Sequence, residues 1–139
     1  MLPARFAANL DWLYPELSYL DRIDAARADG FARVELLFAH LQERAGLLAR
    51  LAGLPVALLN APPGDWTQGE RGFAALPGHE ADFRDHTLRG FELASQVGAP
   101  VMHLLSGIAE DGSAARDCWL ANLAWAAEQA PAGLRLTVE

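Results

Sequence analysis

Five short apolar runs alternate with four stretches of helical periodicity, and this alternation constrains the fold more than any other feature of the chain. The runs are Arg5–Leu10, Ala32–Phe38, Pro55–Leu59, Val101–Leu105 and Leu134–Glu139. Between them, apolar residues recur at helical spacing over Glu16–Asp29, Leu41–Leu51, Glu80–Val97 and a stretch from Asp111 or Ser113 to about Gln129. Gly30, Gly53 and Gly98 close the first three helices, Pro131 and Gly133 break the fourth, and Asp111 or Ser113 is the expected cap of the last. Strict β/α alternation implies parallel strands joined by right-handed helical crossovers. The strands are nearly continuous in apolar residues, as they must be when both faces of a sheet are covered. The pattern alone does not separate an open sheet from a barrel. No glycine-rich fingerprint follows the first run, where the sequence continues Asp11-Trp12-Leu13-Tyr14-Pro15-Glu16, so a dinucleotide fold is disfavoured.

Polar residues in such runs cost free energy unless paired, which makes the few that occur informative. Glu35 interrupts the second run, Asn60 follows the third, His103 interrupts the fourth and Glu139 ends the fifth; Asn9 sits similarly in the first. Parallel strands deliver their C-terminal ends to one edge, so these five groups are expected to converge there. The loop Asn60–Gly72 (NAPPGDWTQGERG) extends that edge. Its paired prolines and three glycines exclude strand and ordinary helix, and Asp65, Trp66, Glu70 and Arg71 suit a polar ligand. Each residue also has a purely structural alternative. Arg71 could clamp a substrate carboxylate or pair with Glu70 or Asp65; Trp66 could roof a pocket or plug the loop. His103 could bind substrate or hydrogen-bond to Glu35, Asn60 could cap the turn before Pro62, and Glu35 could be a buried, paired support. His40, His79 and His86 lie in loop or helix contexts without metal-ligand spacing and are expected at the surface or in caps.

Composition bounds the function. The formal charge is −7, all basic residues are arginines, and they form no run. A nucleic-acid partner, whose affinity depends on neutralising phosphates, is therefore disfavoured. No apolar run approaches the roughly 18 residues that span a bilayer, no signal peptide is evident, and the single Cys118 excludes an internal disulfide; a cytoplasmic location is the default.

The segments RFAANLDWLY (5–14), DGFARVELLF (29–38), LLNAPPGDWTQGERGFAALPGHEADFR (58–84), VMHLLSG (101–107) and LTVE (136–139) resemble the hydroxypyruvate isomerase family of xylose-isomerase-like (β/α)8 barrels. The resemblance implies an aldose–ketose isomerase working through an enediol, with a divalent cation of the Mg or Mn type, converting hydroxypyruvate and tartronate semialdehyde. A 2-oxo-tetronate is the alternative substrate, and any substrate is a small carboxylate-bearing sugar or hydroxy-oxo acid. It also implies that Glu139 is a catalytic glutamate and metal ligand, with Glu35, Asn60, Trp66, Arg71 and His103 as substrate-binding candidates. Such barrels need typically about 250 residues. Five strands and four helices make the chain look like the N-terminal portion of one domain, residues 1–139, lacking the family's second catalytic glutamate and remaining metal ligands. The expected product is an open partial barrel, inactive alone, that associates with itself or with a partner through unpaired sheet edges. The endonuclease branch of the same superfamily is disfavoured, since its histidine pattern and basic surface are missing.

Overall fold

The structure, a computed structural model, describes residues 6–139; Arg5, the expected start of the first strand, lies outside the described residues. Strands β1 (Ala8–Asn9), β2 (Val34–Leu36), β3 (Val56–Asn60), β4 (Val101–Leu104) and β5 (Arg135–Val138) alternate with helices α1 (Tyr19–Ala28), α2 (Arg44–Leu51), α3 (Glu80–Val97) and α4 (Ser113–Gln129). All four strand pairings are parallel and the spatial order is β1-β2-β3-β4-β5. A doubly wound sheet reverses its order at a switch point. Here there is no reversal, so right-handed crossovers put every helix on one face, as in a barrel wall. The barrel is not closed.

The core lies between sheet and helices. Val34, Leu36, Leu59, Met102 and Leu104 are buried on the sheet side, opposed by Ile23, Leu47, Phe83, Phe91, Leu93 and Ala126. Gly90 shows how closely α3 lies on the sheet. A Cβ there would sit 2.7 Å from Met102 Sδ and 3.2 Å from Ala61.

Element ends differ from expectation where side chains, not periodicity, set them. Ser18 and Glu43 accept backbone N–H groups and so start α1 at Tyr19 and α2 at Arg44, and Ala39–Leu41 forms a separate 3-10 turn. The cap expected from Asp111 or Ser113 is not formed. Gly112 holds the N-cap of α4 without a side-chain bond. Two sets of polar contacts tie loops to this frame. The Asp11 carboxylate accepts the Leu37 N–H at 2.6 Å and the Tyr19 hydroxyl at 3.4 Å, latching the end of β1 to that of β2. Asn122, buried in α4, donates to the Ala74 carbonyl at 3.0 Å.

Register decides which side chains face away from the helices. In β2 the core residues Val34 and Leu36 flank Glu35, which therefore points to the open face. In β4, His103 lies between buried Met102 and Leu104 and does the same. Strict alternation in β3 would send Asn60 to the helix side with Val56. A register shift opposite Val34/Glu35 inserts one extra residue, pairing Val34 with Val56 but Glu35 with Leu58 and Leu36 with Leu59. Leu59 then joins the core, and Asn60 joins the open face beside its register partner His103.

Candidate active site at the strand tips

The open face carries a row of polar side chains at the C-terminal ends of the strands. Asn9 is in register with Glu35, Asn60 with His103, and His103 with Thr137, while Glu139 lies one side-chain repeat beyond Thr137. Glu35, Asn60, His103 and Glu139 thus share one face at one rim. His103 is held at both ring nitrogens: Nδ1 lies 2.8 Å from Thr137 Oγ1 and Nε2 lies 3.2 Å from Glu139 Oε2. The pattern is satisfied when Nε2–H donates to the carboxylate and the threonine hydroxyl donates to Nδ1. The imidazole is mostly covered and holds the 80% exposed Glu139 carboxylate at its Nε2 edge. The backbone of Glu139 is fixed as well, donating to the Leu104 carbonyl at 3.2 Å and accepting the Ser106 N–H at 3.1 Å.

The expected His103–Glu35 bond is replaced by these contacts. Glu35 is half-buried, and its carboxylate takes no hydrogen bond among the described residues, so it is not the paired support that was one expectation. Asn60 does not cap its turn either: its Oδ1 is sealed from solvent and unpaired.

The loop after β3 closes over this rim in a defined shape. The Asp65 carboxylate caps a 3-10 turn at Trp66–Gln68, and Glu70 accepts the Asp65 N–H. Gly72 (φ 96) pairs with Ser106, and a Cβ at Gly72 would sit 2.1 Å from the Leu105 carbonyl oxygen. Gly107 N–H to Arg71 O at 3.0 Å and Ala75 N–H to Ser106 O at 2.8 Å complete the seam between this loop and the β4 tip. Arg71 pairs with neither Glu70 nor Asp65 through their carboxylates. Its Nη1 donates to the Trp66 and Glu70 carbonyls at 3.0 and 2.7 Å, and its guanidinium lies 3.6 Å from the Trp66 ring centre. Trp66 in turn meets Phe38 edge-on at 5.0 Å. The Phe38–Trp66–Arg71 stack leaves Nε and Nη2 without a protein acceptor among the described residues, and those two atoms form the fork that fits a carboxylate.

Among the described residues, no three His, Cys, Asp or Glu side chains gather where they could hold a metal ion. Glu139 and His103 are the donors at hand. A magnesium- or manganese-type cation takes about six ligands, mostly oxygens, so these residues alone do not make a metal centre.

Three further residues carried no sequence signal of their place. Asp11 and Thr137 looked like an ordinary turn residue and an ordinary strand residue. His40, expected at the surface or in a cap, is instead half-buried with its Nδ1 sealed from solvent and unpaired. Burial, with Arg89 and His86 nearby, pushes its pKa from 6.5 down to about 4.

Sequential parallel strands, helices on one face and polar tips at one rim place the chain among the xylose-isomerase-like barrel proteins. No protein-family model matches it. It is 48% identical over 141 residues to the 2-oxo-tetronate isomerase of Cupriavidus necator, covering 97% of this chain and 54% of that protein. It is 38% identical over 105 residues to the hydroxypyruvate isomerase of Escherichia coli, covering 74% of this chain and 41% of that one. The crystal structure of AP endonuclease, family 2 from Brucella melitensis superposes with a TM-score of 0.92 at 35% identity, over 98% of this chain and 55% of that chain. The chain belongs to the hydroxypyruvate isomerase family, and it spans about half the length of the curated relatives it matches.

Proposed function

We propose that this chain forms one wall of the active site of an aldose–ketose isomerase for small hydroxy-oxo acids, interconverting hydroxypyruvate and tartronate semialdehyde. The observation that carries the proposal is the Thr137–His103–Glu139 arrangement, a carboxylate steadied by a mostly covered imidazole at the rim of the sheet. Moving a carbonyl to the neighbouring carbon means taking a proton from one carbon and delivering it to the next. Glu139 accepts the proton from the hydroxyl-bearing carbon. His103 donates a hydrogen bond to the resulting acid/base pair and keeps its orientation. Arg71 presents Nε and Nη2 to the substrate carboxylate, and Trp66 screens that contact from water. A divalent cation, bound with ligands beyond those described, would stabilise the enediolate charge. A 2-oxo-tetronate is the second reading, favoured by the relative that is 48% identical and bears that name. The net charge of −7 speaks against a nucleic-acid substrate. No helix among the described residues is long and apolar enough to cross a membrane, and we place the protein in the cytoplasm.

The deciding assay follows both substrates, with magnesium and manganese, for this chain alone and for the chain supplemented with the remaining segments of the Cupriavidus necator relative. The chain alone is expected to be silent and the supplemented barrel active. Glu139→Gln should lower turnover by about 10²–10⁴-fold, the usual worth of a positioned acid/base group. Turnover untouched by Glu139→Gln would remove its role. Turnover by the chain alone would show that it carries a complete site.

A further inference from the structure

Two consecutive residues at the tip of β4 bond to both halves of the proposed site. Gly107 donates its N–H to the Arg71 carbonyl at 3.0 Å, and Ser106 donates its N–H to the Glu139 carbonyl at 3.1 Å. The Ser106 hydroxyl donates to that same Glu139 oxygen. We infer that Ser106 and Gly107 are positioning residues that set the spacing between the Arg71 fork and the Glu139 carboxylate. That spacing selects substrates whose carboxylate carbon lies two bonds from the carbon that loses its proton. The inference rests on the roles given to Arg71 and Glu139 above.

The loop that carries Arg71 is closed on itself. Gly72 donates its N–H to the Pro63 carbonyl at 2.8 Å, and the Asp65 carboxylate caps the turn between them. The Arg71 guanidinium is bound back to the Trp66 and Glu70 carbonyls and lies on the Trp66 ring. Where the fork stands therefore follows from where this loop meets β4. The junction is tight from both sides. Gly107 has a φ of 88, and a Cβ there would sit 2.5 Å from the Gly72 carbonyl oxygen and 3.0 Å from Leu76. A Cβ at Gly72 would strike Leu105 in the same way, so only bare backbone fits across the seam. On the far side the β4–β5 ladder continues past Val138, because Glu139 donates to Leu104 and accepts from Ser106. Its carboxylate then rests on His103 Nε2. Hydroxypyruvate has one carbonyl carbon between its carboxylate and the carbon that yields the proton. A 2-oxo-tetronate has the same arrangement and differs only beyond that carbon, so one spacing serves both. Holding the carboxylate at that distance brings the reacting carbon to the acid in a reactive geometry. Dihydroxyacetone keeps the reacting carbons but has a hydroxymethyl group in place of the carboxylate, so it reports on the acid without the fork.

The test compares the kinetics of hydroxypyruvate and dihydroxyacetone in the supplemented barrel described above. Gly107→Ala pushes the Arg71 loop off the β4 tip. It should raise KM for hydroxypyruvate by about tenfold with kcat little changed, as loss of one hydrogen bond to a charged group does, and leave dihydroxyacetone unaffected. Ser106→Ala keeps both backbone bonds and removes one hydroxyl from the acid's side. It should lower kcat on both compounds alike, by roughly threefold, and leave their ratio unchanged. A loss of stability alone would depress both compounds together under Gly107→Ala. Amide hydrogen exchange on the unsubstituted barrel gives a readout that needs no variant. Glycerate, which has the carboxylate but no carbonyl, should slow exchange at Gly107 and Ser106 together when present at concentrations that halve hydroxypyruvate turnover. Unslowed exchange at Gly107, or an unchanged ratio of the two compounds in a folded Gly107→Ala barrel, would overturn the inference and leave the proposed function standing. An unsubstituted barrel silent on hydroxypyruvate would remove both.

Discussion

Asp11 and His40 are both perturbed by burial, and they predict opposite responses to pH. Burial is the main cause holding the Asp11 carboxyl above its ordinary range, against smaller opposing contributions from Leu37, Phe38, Tyr19 and Arg22. A raised carboxyl binds its proton more tightly folded than unfolded. Stability from this group is therefore present below the unfolded value and lost as pH rises through the folded one. Asp11→Asn keeps an acceptor for the Leu37 N–H, so it should raise Tm at pH 7, with the gain shrinking as the pH is lowered below 4. His40 runs the other way. Its pKa falls from 6.5 to about 4, so the unfolded chain takes up a proton first and stability falls as pH drops through that window. Urea titrations at pH 7 and pH 4.5 should differ by on the order of 1 kcal/mol from this source, discounted for partial exposure, and His40→Gln should flatten the difference. Neither residue announced itself in the sequence. Glu35, Asn60 and His103 were legible because each interrupts or ends an apolar run, where a polar group needs a reason. A turn has no such background, so an aspartate there looks like any other.

At the scale of elements, periodicity located every helix and strand, and the departures have local causes. Two caps, Ser18 and Glu43, moved helix starts because a side chain satisfying a backbone N–H outranks apolar spacing. The extra residue in β3 was invisible for a different reason. The run Pro55–Leu59 is apolar throughout, so no alternation marks which positions face inward. Yet that one insertion turns Asn60 from the helix side to the site. The loop after β3 was recognisable as shaped from its prolines and glycines, but its seam with β4 depends on the pairing of Gly72 with Ser106, distant in sequence. Gly72→Ala tests the seam. It places a Cβ against the Leu105 carbonyl at a positive φ, and should cost at least about 1–3 kcal/mol in a thermal melt. Asn122→Ala leaves the Ala74 carbonyl only the weak Cys118 thiol contact at 3.7 Å and should cost about 1–3 kcal/mol. Because Ala74 lies beyond Gly72 on the same segment, the two losses are expected to be less than additive, and the double variant measures that coupling.

At the scale of the whole molecule, the sheet has two neighbourless margins among the described residues, one at β1 and one at β5. A strand margin presents unpaired N–H and C=O groups and is a template for another chain. The β5 side also bares apolar surface: Val138 is 44% exposed, and Ile108 beside the rim is 77% exposed. Among the described residues the polar face bearing Glu35, Asn60 and His103 has no opposite wall, although catalysis by paired acid/base groups needs one on each side of the substrate. Both deficits have one remedy, a further set of β/α units docking along β5 and β1. The prediction is that this chain alone self-associates at micromolar concentration in sedimentation velocity, and that supplying the complementary segments of the Cupriavidus necator relative converts it to a single discrete species. Arg135→Pro, which breaks β5, should abolish that conversion while the core between β2–β4 and α1–α3 keeps its far-UV signal, since proline removes the Arg135 N–H that bonds to the Pro100 carbonyl at 3.0 Å. A compact monomer unaffected by either addition or substitution would mean that the margins are closed by some other arrangement, and that the rim of polar side chains functions without a second wall.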